Sequence, residues 1–96
     1  MTDIAIQVIR EYIDEYLFEP RNNWPSDIFE ERAYARWAAF ELINRIMDNP
    51  KEDPEKVIAK FLFDTIRLSN RTVNSEKARI FRIARDVAEE IIGLFL

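Results

Sequence analysis

The stretch DIFEERAYARWAAFELINRIMDNP, residues 27–50, decides the fold. Asp27 followed three residues later by Glu30 fits a reciprocal capping box, with Ser26 as the alternative cap. At the other end Asn49-Pro50 stops the helix, because proline offers no backbone donor. Successive residues of a helix step around its axis by about 100°. On that wheel Ile28, Phe29, Ala35, Ala39, Phe40, Leu42, Ile43, Ile46 and Met47 share one broad arc, opposite Glu30, Glu41, Asn44, Arg45 and Asp48. An apolar arc this wide needs at least two covering helices, which makes this segment the predicted centre of the fold.

The flanking segments supply those helices. Ile4, Val8, Tyr12, Ile13, Tyr16 and Leu17 recur at spacings of three and four, widened by Ala5 and Ile9, and predict a first helix from Thr2 or Asp3 to Glu19. Pro20, Asn22, Asn23 and Pro25 read as a loop, with Trp24 inside it as either a lid on the core or an exposed contact. Asp53-Pro54 is a cap followed by a proline at the first helical position, opening a third helix with Val57, Ile58, Phe61, Leu62, Thr65 and Ile66 inward. That helix is expected to end near Leu68, since residues 69–75 are rich in short polar side chains that compete for backbone hydrogen bonds. A fourth helix starts at Asn74 or Ser75 and carries Ile80, Phe81, Ile83, Ala84, Val87, Ala88, Ile91, Leu94 and Phe95 inward, with Gly93 in its last turn. No period-two alternation and no Asn-Gly or Asp-Gly hairpin competes. The expectation is an all-α, four-helix bundle-like domain spanning 1–96, with Phe40, Ile43, Phe61, Leu62, Ile83 and Val87 largely inaccessible and the terminal Leu94-Phe95-Leu96 packed either internally or on a second copy.

Composition narrows the chemistry. The 96 residues contain no Cys and no His, which removes thiolate chemistry, disulfides and the commonest acid-base group. The only glycine is Gly93, so no glycine-rich phosphate loop exists. Glu30-Glu31 and Glu89-Glu90 are adjacent pairs whose side chains diverge around a helix, so neither converges on an ion or substrate. No catalytic residue, cofactor, metal or small-molecule ligand is expected. The apolar runs are too short to span a bilayer, and the first twenty residues lack a basic start and an apolar core; cytoplasmic residence is the expectation.

Three groups of residues stand apart from a plain bundle. Arg32 and Arg36 lie four apart within the apolar arc, where a guanidinium needs a partner. They are expected to form a buried ion pair with Asp14, Glu15, Asp64, Asp86 or Glu90, or else a cross-dimer pair or an anion site. Trp24, Tyr34, Trp37, Phe63 and Phe95 exceed what four short helices readily hide, and they form a candidate interface. Arg79, Arg82 and Arg85 share one side of the fourth helix and are the candidate nucleic-acid contacts. Asp86 and Glu89 offset them, and the loop before that helix is longer than a helix-turn-helix turn and lacks glycine.

Charge is uneven: residues 1–31 carry eight acids and two bases, residues 32–85 twelve bases and seven acids. The functional expectation is a small helical protein-interaction module, homodimeric or an adaptor, without catalytic activity. Two alternatives are a nucleic-acid-associated regulator working through the fourth helix, and an acidic protein that fills a basic site on its target through Asp3, Glu11, Asp14 and Glu15.

Overall fold

The computed structural model describes residues 2–17 and 26–96, and the side chains of 2–17 and 31–96. They form an all-α, four-helix fold: α1 (Thr2–Tyr16), α2 (Ser26–Asp48), α3 (Pro54–Arg71) and α4 (Ser75–Gly93). No strand occurs among the described residues. Trp24, the loop around it and the last two residues of the expected first helix lie outside them.

The helix starts follow the local chemistry. Asp53 is extended, its carboxylate accepts the Glu55 N–H at 3.1 Å, and Pro54 takes the first helical position. Asn74 is likewise extended and accepts the N–H groups of Glu76 and Lys77 at 3.0 and 3.1 Å. Each cap satisfies donors that the helix itself leaves unpaired. At the end of α2, Asn49 donates its side-chain amide to the Arg45 carbonyl at 2.8 Å.

The end of α3 differs from expectation. The helix continues to Arg71, leaving only residues 72–74 as the connection to α4. Its polar residues support the helix instead of interrupting it. Ser69 Oγ donates to the Ile66 carbonyl at 2.9 Å and Thr72 Oγ1 to the Leu68 carbonyl at 2.6 Å, so the hydroxyls satisfy carbonyls of the last turns.

The five largest fully buried side chains are Ile9, Leu42, Ile46, Ile58 and Ile91, so every helix reaches the core. The α3–α4 hairpin has the most extensive packing, and α2 lies against all three other helices, as its wide stripe requires. Methyl-sized Ala35, Ala38 and Ala39 on α2, with Ala84 and Ala88 on α4, are buried and let those two helices lie close. The shortest dimension, 22 Å, is that of two helix layers.

Burial corrects the wheel at several positions. Ile43, Phe61 and Val87 are buried as expected, while Leu62 and Ile83 are partly buried at the core edge. Phe40 is 50% exposed and Met47 55%, against expectation. Among the described side chains the covered arc of α2 consists of Ala35, Ala38, Ala39, Leu42, Ile43 and Ile46, and Phe40 and Met47 fall past its edge. In α1 the buried stripe is centred on Ala5, Ile9, Tyr12, Ile13 and Leu17, leaving Ile4 exposed. At the C-terminus Phe95 packs against the core, whereas Leu94 and Leu96 are open.

Candidate functional site

The outward face of α2 is the most unusual surface of the protein. Trp37 and Phe40 are each half exposed and Met47 slightly more, although all three belong to the helix that organises the core. Phe40 borders a shallow groove with Arg10, Ile13 and Asp14 of α1, and Met47 one with Ile6, Gln7 and Arg10. On the other flank Trp37 lies beside Phe61, Thr65, Leu68 and Phe81 of the α3–α4 hairpin. Of the expected interface residues the structure therefore gathers Trp37 with Phe40 and Met47, which the wheel had assigned to the interior. Tyr34 is half-buried, Phe95 folds onto the core, and Phe63, 67% exposed, stands apart on α3.

Below Trp37, a charge network joins α2 to α3. The Arg45 guanidinium bonds Glu41 at 3.3 Å and approaches Asp64 at 3.8 Å; Asp64 in turn pairs with Arg67 at 3.5 Å. The Arg45 carbon lies 4.9 Å from the centre of the Phe61 ring, a cation–π position. Asp64 thus serves Arg45 and Arg67. The wheel placed Arg45 on the polar side and gave no sign of this partnership, because a wheel carries no information about a neighbouring helix.

Arg32 and Arg36 occupy the other flank of α2, and both are half-buried instead of enclosed. Arg36 donates from an Nη atom to the Leu17 main-chain carbonyl at 3.1 Å. It therefore caps the C-terminal end of α1 from a neighbouring helix, placing positive charge where helix carbonyls are left over. Arg32 shares a cleft between α1, α2 and α4 with Tyr12, Asp86 and Glu90, two of its expected partners. There the Tyr12 hydroxyl, on a side chain only 6% exposed, donates to a Glu90 carboxylate oxygen. Burial pushes the Tyr12 phenol well above its ordinary range; the Glu90 hydrogen bond and charge add to this, while Arg32 pulls the other way. Tyr16 leans on Tyr12 with ring centres 5.3 Å apart.

The basic side of α4 is partly neutralised. Arg79 reaches Glu31 of α2 at 3.3 Å, Arg85 holds Asp86 at 3.2 Å, and Arg82 is exposed. The short connection of residues 72–74 removes loop length as an objection to a helix-turn-helix, but α3 and α4 pack extensively along each other as a hairpin. Among the described residues no group of three or more acidic side chains is arranged to hold a metal ion, and no helix is long and apolar enough to cross a membrane.

No protein-family model, curated protein or solved structure matches the chain.

Proposed function

We propose that the protein is a helical interaction module that binds another protein chain through the outward face of α2. The observation that supports this is the exposure of Trp37, Phe40 and Met47 on one side of the helix that carries the core. Large aromatic and thioether side chains lose hydration cost when a partner covers them, and such residues are enriched at interface centres. Their backbone is already fixed by the buried side of the same helix, so binding pays no ordering cost there. The charged residues around them, Arg10 and Asp14 on one side and Glu41 on the other, form the polar rim such a patch requires.

A photo-crosslinking side chain placed at Phe40 tests the reading. The expected result is a discrete protein adduct that disappears when Trp37→Glu is added, with helicity unchanged because Trp37 lies outside the core. Absence of any protein adduct from Phe40, in purified protein and in cells alike, would remove this function.

A further inference from the structure

On the outward face of α2, the residues Ala33, Trp37, Phe40, Asn44 and Met47 follow one another at spacings of four, three, four and three. All five are exposed. This is the a/d repeat of a coiled coil, with Trp37 and Asn44 at a and Ala33, Phe40 and Met47 at d. It is separate from the core stripe of Ala35, Ala38, Ala39, Leu42, Ile43 and Ile46, so α2 has two apolar faces and the bundle uses one. We propose that the second face pairs with the same face of a second copy of this chain, the two α2 helices running parallel and in register about a twofold axis. The proposal rests on the interaction-module reading and names its partner.

Two observations select a second copy in this orientation. The first is Asn44, which interrupts an otherwise apolar seam between Phe40 and Met47. Covered by an apolar partner, its amide would lose water without compensation. In a parallel, in-register pair it meets the same asparagine of the other copy, and each amide can both donate and accept. A single asparagine at an a position is a known device for fixing register and strand number.

The second observation is the charge on either side of the seam. The α1 flank presents Arg36 on α2 and the exposed Arg10 of α1, which borders both Phe40 and Met47, together with Asp14 beside Phe40 and Asp3 beside Met47. The α3 flank presents Glu41 and Asp48 in the positions that follow Phe40 and Met47. Parallel helices bring the α1 flank of one copy to the α3 flank of the other, so Arg10 and Arg36 come near Glu41, which also holds Arg45, and Asp48. Antiparallel helices would bring Glu41 and Asp48 against their own counterparts.

Fifteen residues, 33–47, are short for an isolated coiled coil, which must form its helices as it pairs. Here α2 is held helical by its buried face before any pairing, so that nucleation cost falls outside the association.

The chain has no cysteine, which permits a direct test. Ala33→Cys, Asn44→Cys and Met47→Cys are made singly, and each protein is oxidised mildly at micromolar concentration. Facing residues of a parallel seam lie within the span a disulfide can bridge, so each variant should form a disulfide-linked pair with itself. Glu89→Cys, an exposed position on α4, which packs against the covered side of α2, should not. In parallel, sedimentation of the unmodified protein should give twice the 11.5 kDa monomer mass, and Phe40→Glu should restore the monomer with helicity intact. A pair formed only on mixing Ala33→Cys with Met47→Cys would overturn the parallel register. A monomer at every concentration up to ~100 µM would overturn the second copy as partner. A Phe40 adduct with a different protein would then leave the module reading standing, and its absence would remove both.

Discussion

Tyr12 links the chemistry of one residue to the stability of the whole chain. Its hydroxyl is buried and donates to Glu90, so the folded protein favours the neutral phenol and holds its ionisation above the ordinary value of 10.0. Stability from this source is fully present below pH 10 and falls as pH rises, because unfolded Tyr12 then gives up a proton that folded Tyr12 keeps. The slope approaches about 1.4 kcal/mol per pH unit. Tyr12→Phe loses the hydrogen bond, which costs roughly 1 kcal/mol near neutrality, but it also loses this alkaline penalty. Urea titrations at pH 8, 10 and 11 should therefore show the unmodified protein's advantage shrinking and then reversing. An advantage that stays constant across that range would contradict the buried, Glu90-bonded phenol. Neither Glu90 as the partner of Tyr12 nor the Leu17 carbonyl as the partner of Arg36 was legible in the sequence. Spacing identified Arg36 as a charge in an apolar arc, but its acceptor is a main-chain atom made available only by the end of another helix.

At the scale of the helix, short-range chemistry was readable and side-chain competition was not. Asp53-Pro54 and Asn74 announced the starts of α3 and α4, since a cap acts on donors two or three residues away and needs no tertiary partner. The same polar composition misled at Ser69 and Thr72, whose hydroxyls bond back to earlier carbonyls and let α3 reach Arg71. Asn74 should be the more informative cap to remove, because it serves two N–H groups while Asp53 has Pro54 beside it to fix the backbone. Asn74→Ala is expected to cost about 1 kcal/mol and Asn74→Gly only a few tenths. Thermal or urea denaturation reads the difference, and amide exchange should rise first at Glu76 and Lys77. No loss from Asn74→Ala would show that the side-chain acceptor contributes nothing. The seam on α2 was missed for a related reason. An arc of apolar residues covering more than half a helix does not say where the core ends and a second face begins, so the wheel alone places Phe40 and Met47 inward.

Across the whole molecule the helices are unequally held. The α3–α4 hairpin has a three-residue connection and the most extensive contact, and α4 also lies along α2. By contrast α1 rests mainly on α2, with Tyr12 to Glu90 as its hydrogen bond to α4 and Arg36 holding its C-terminal end. Such an arrangement should open in stages, since local unfolding costs only the contacts that are broken. The segment α1 is expected to detach before the rest. Releasing it exposes Ile9 and Ile13 but leaves the α3–α4 and α2–α4 packing in place. Native-state hydrogen exchange over a urea series measures this directly. Amides of α1 should exchange with a smaller opening free energy and a smaller urea dependence than those of α3 and α4, because less surface is uncovered. Tyr12→Phe should lower the values of all helices equally, since its bond is broken in partial and global opening alike. Asn74→Ala, whose cap stays intact when α1 detaches, should lower the α3 and α4 values and leave that of α1 unchanged. A loss at α1 equal to that at α3 and α4 on Asn74→Ala would instead mean that α1 and the hairpin unfold as one unit. In that case α2 would transmit the loss throughout the bundle, and the staged opening would be wrong.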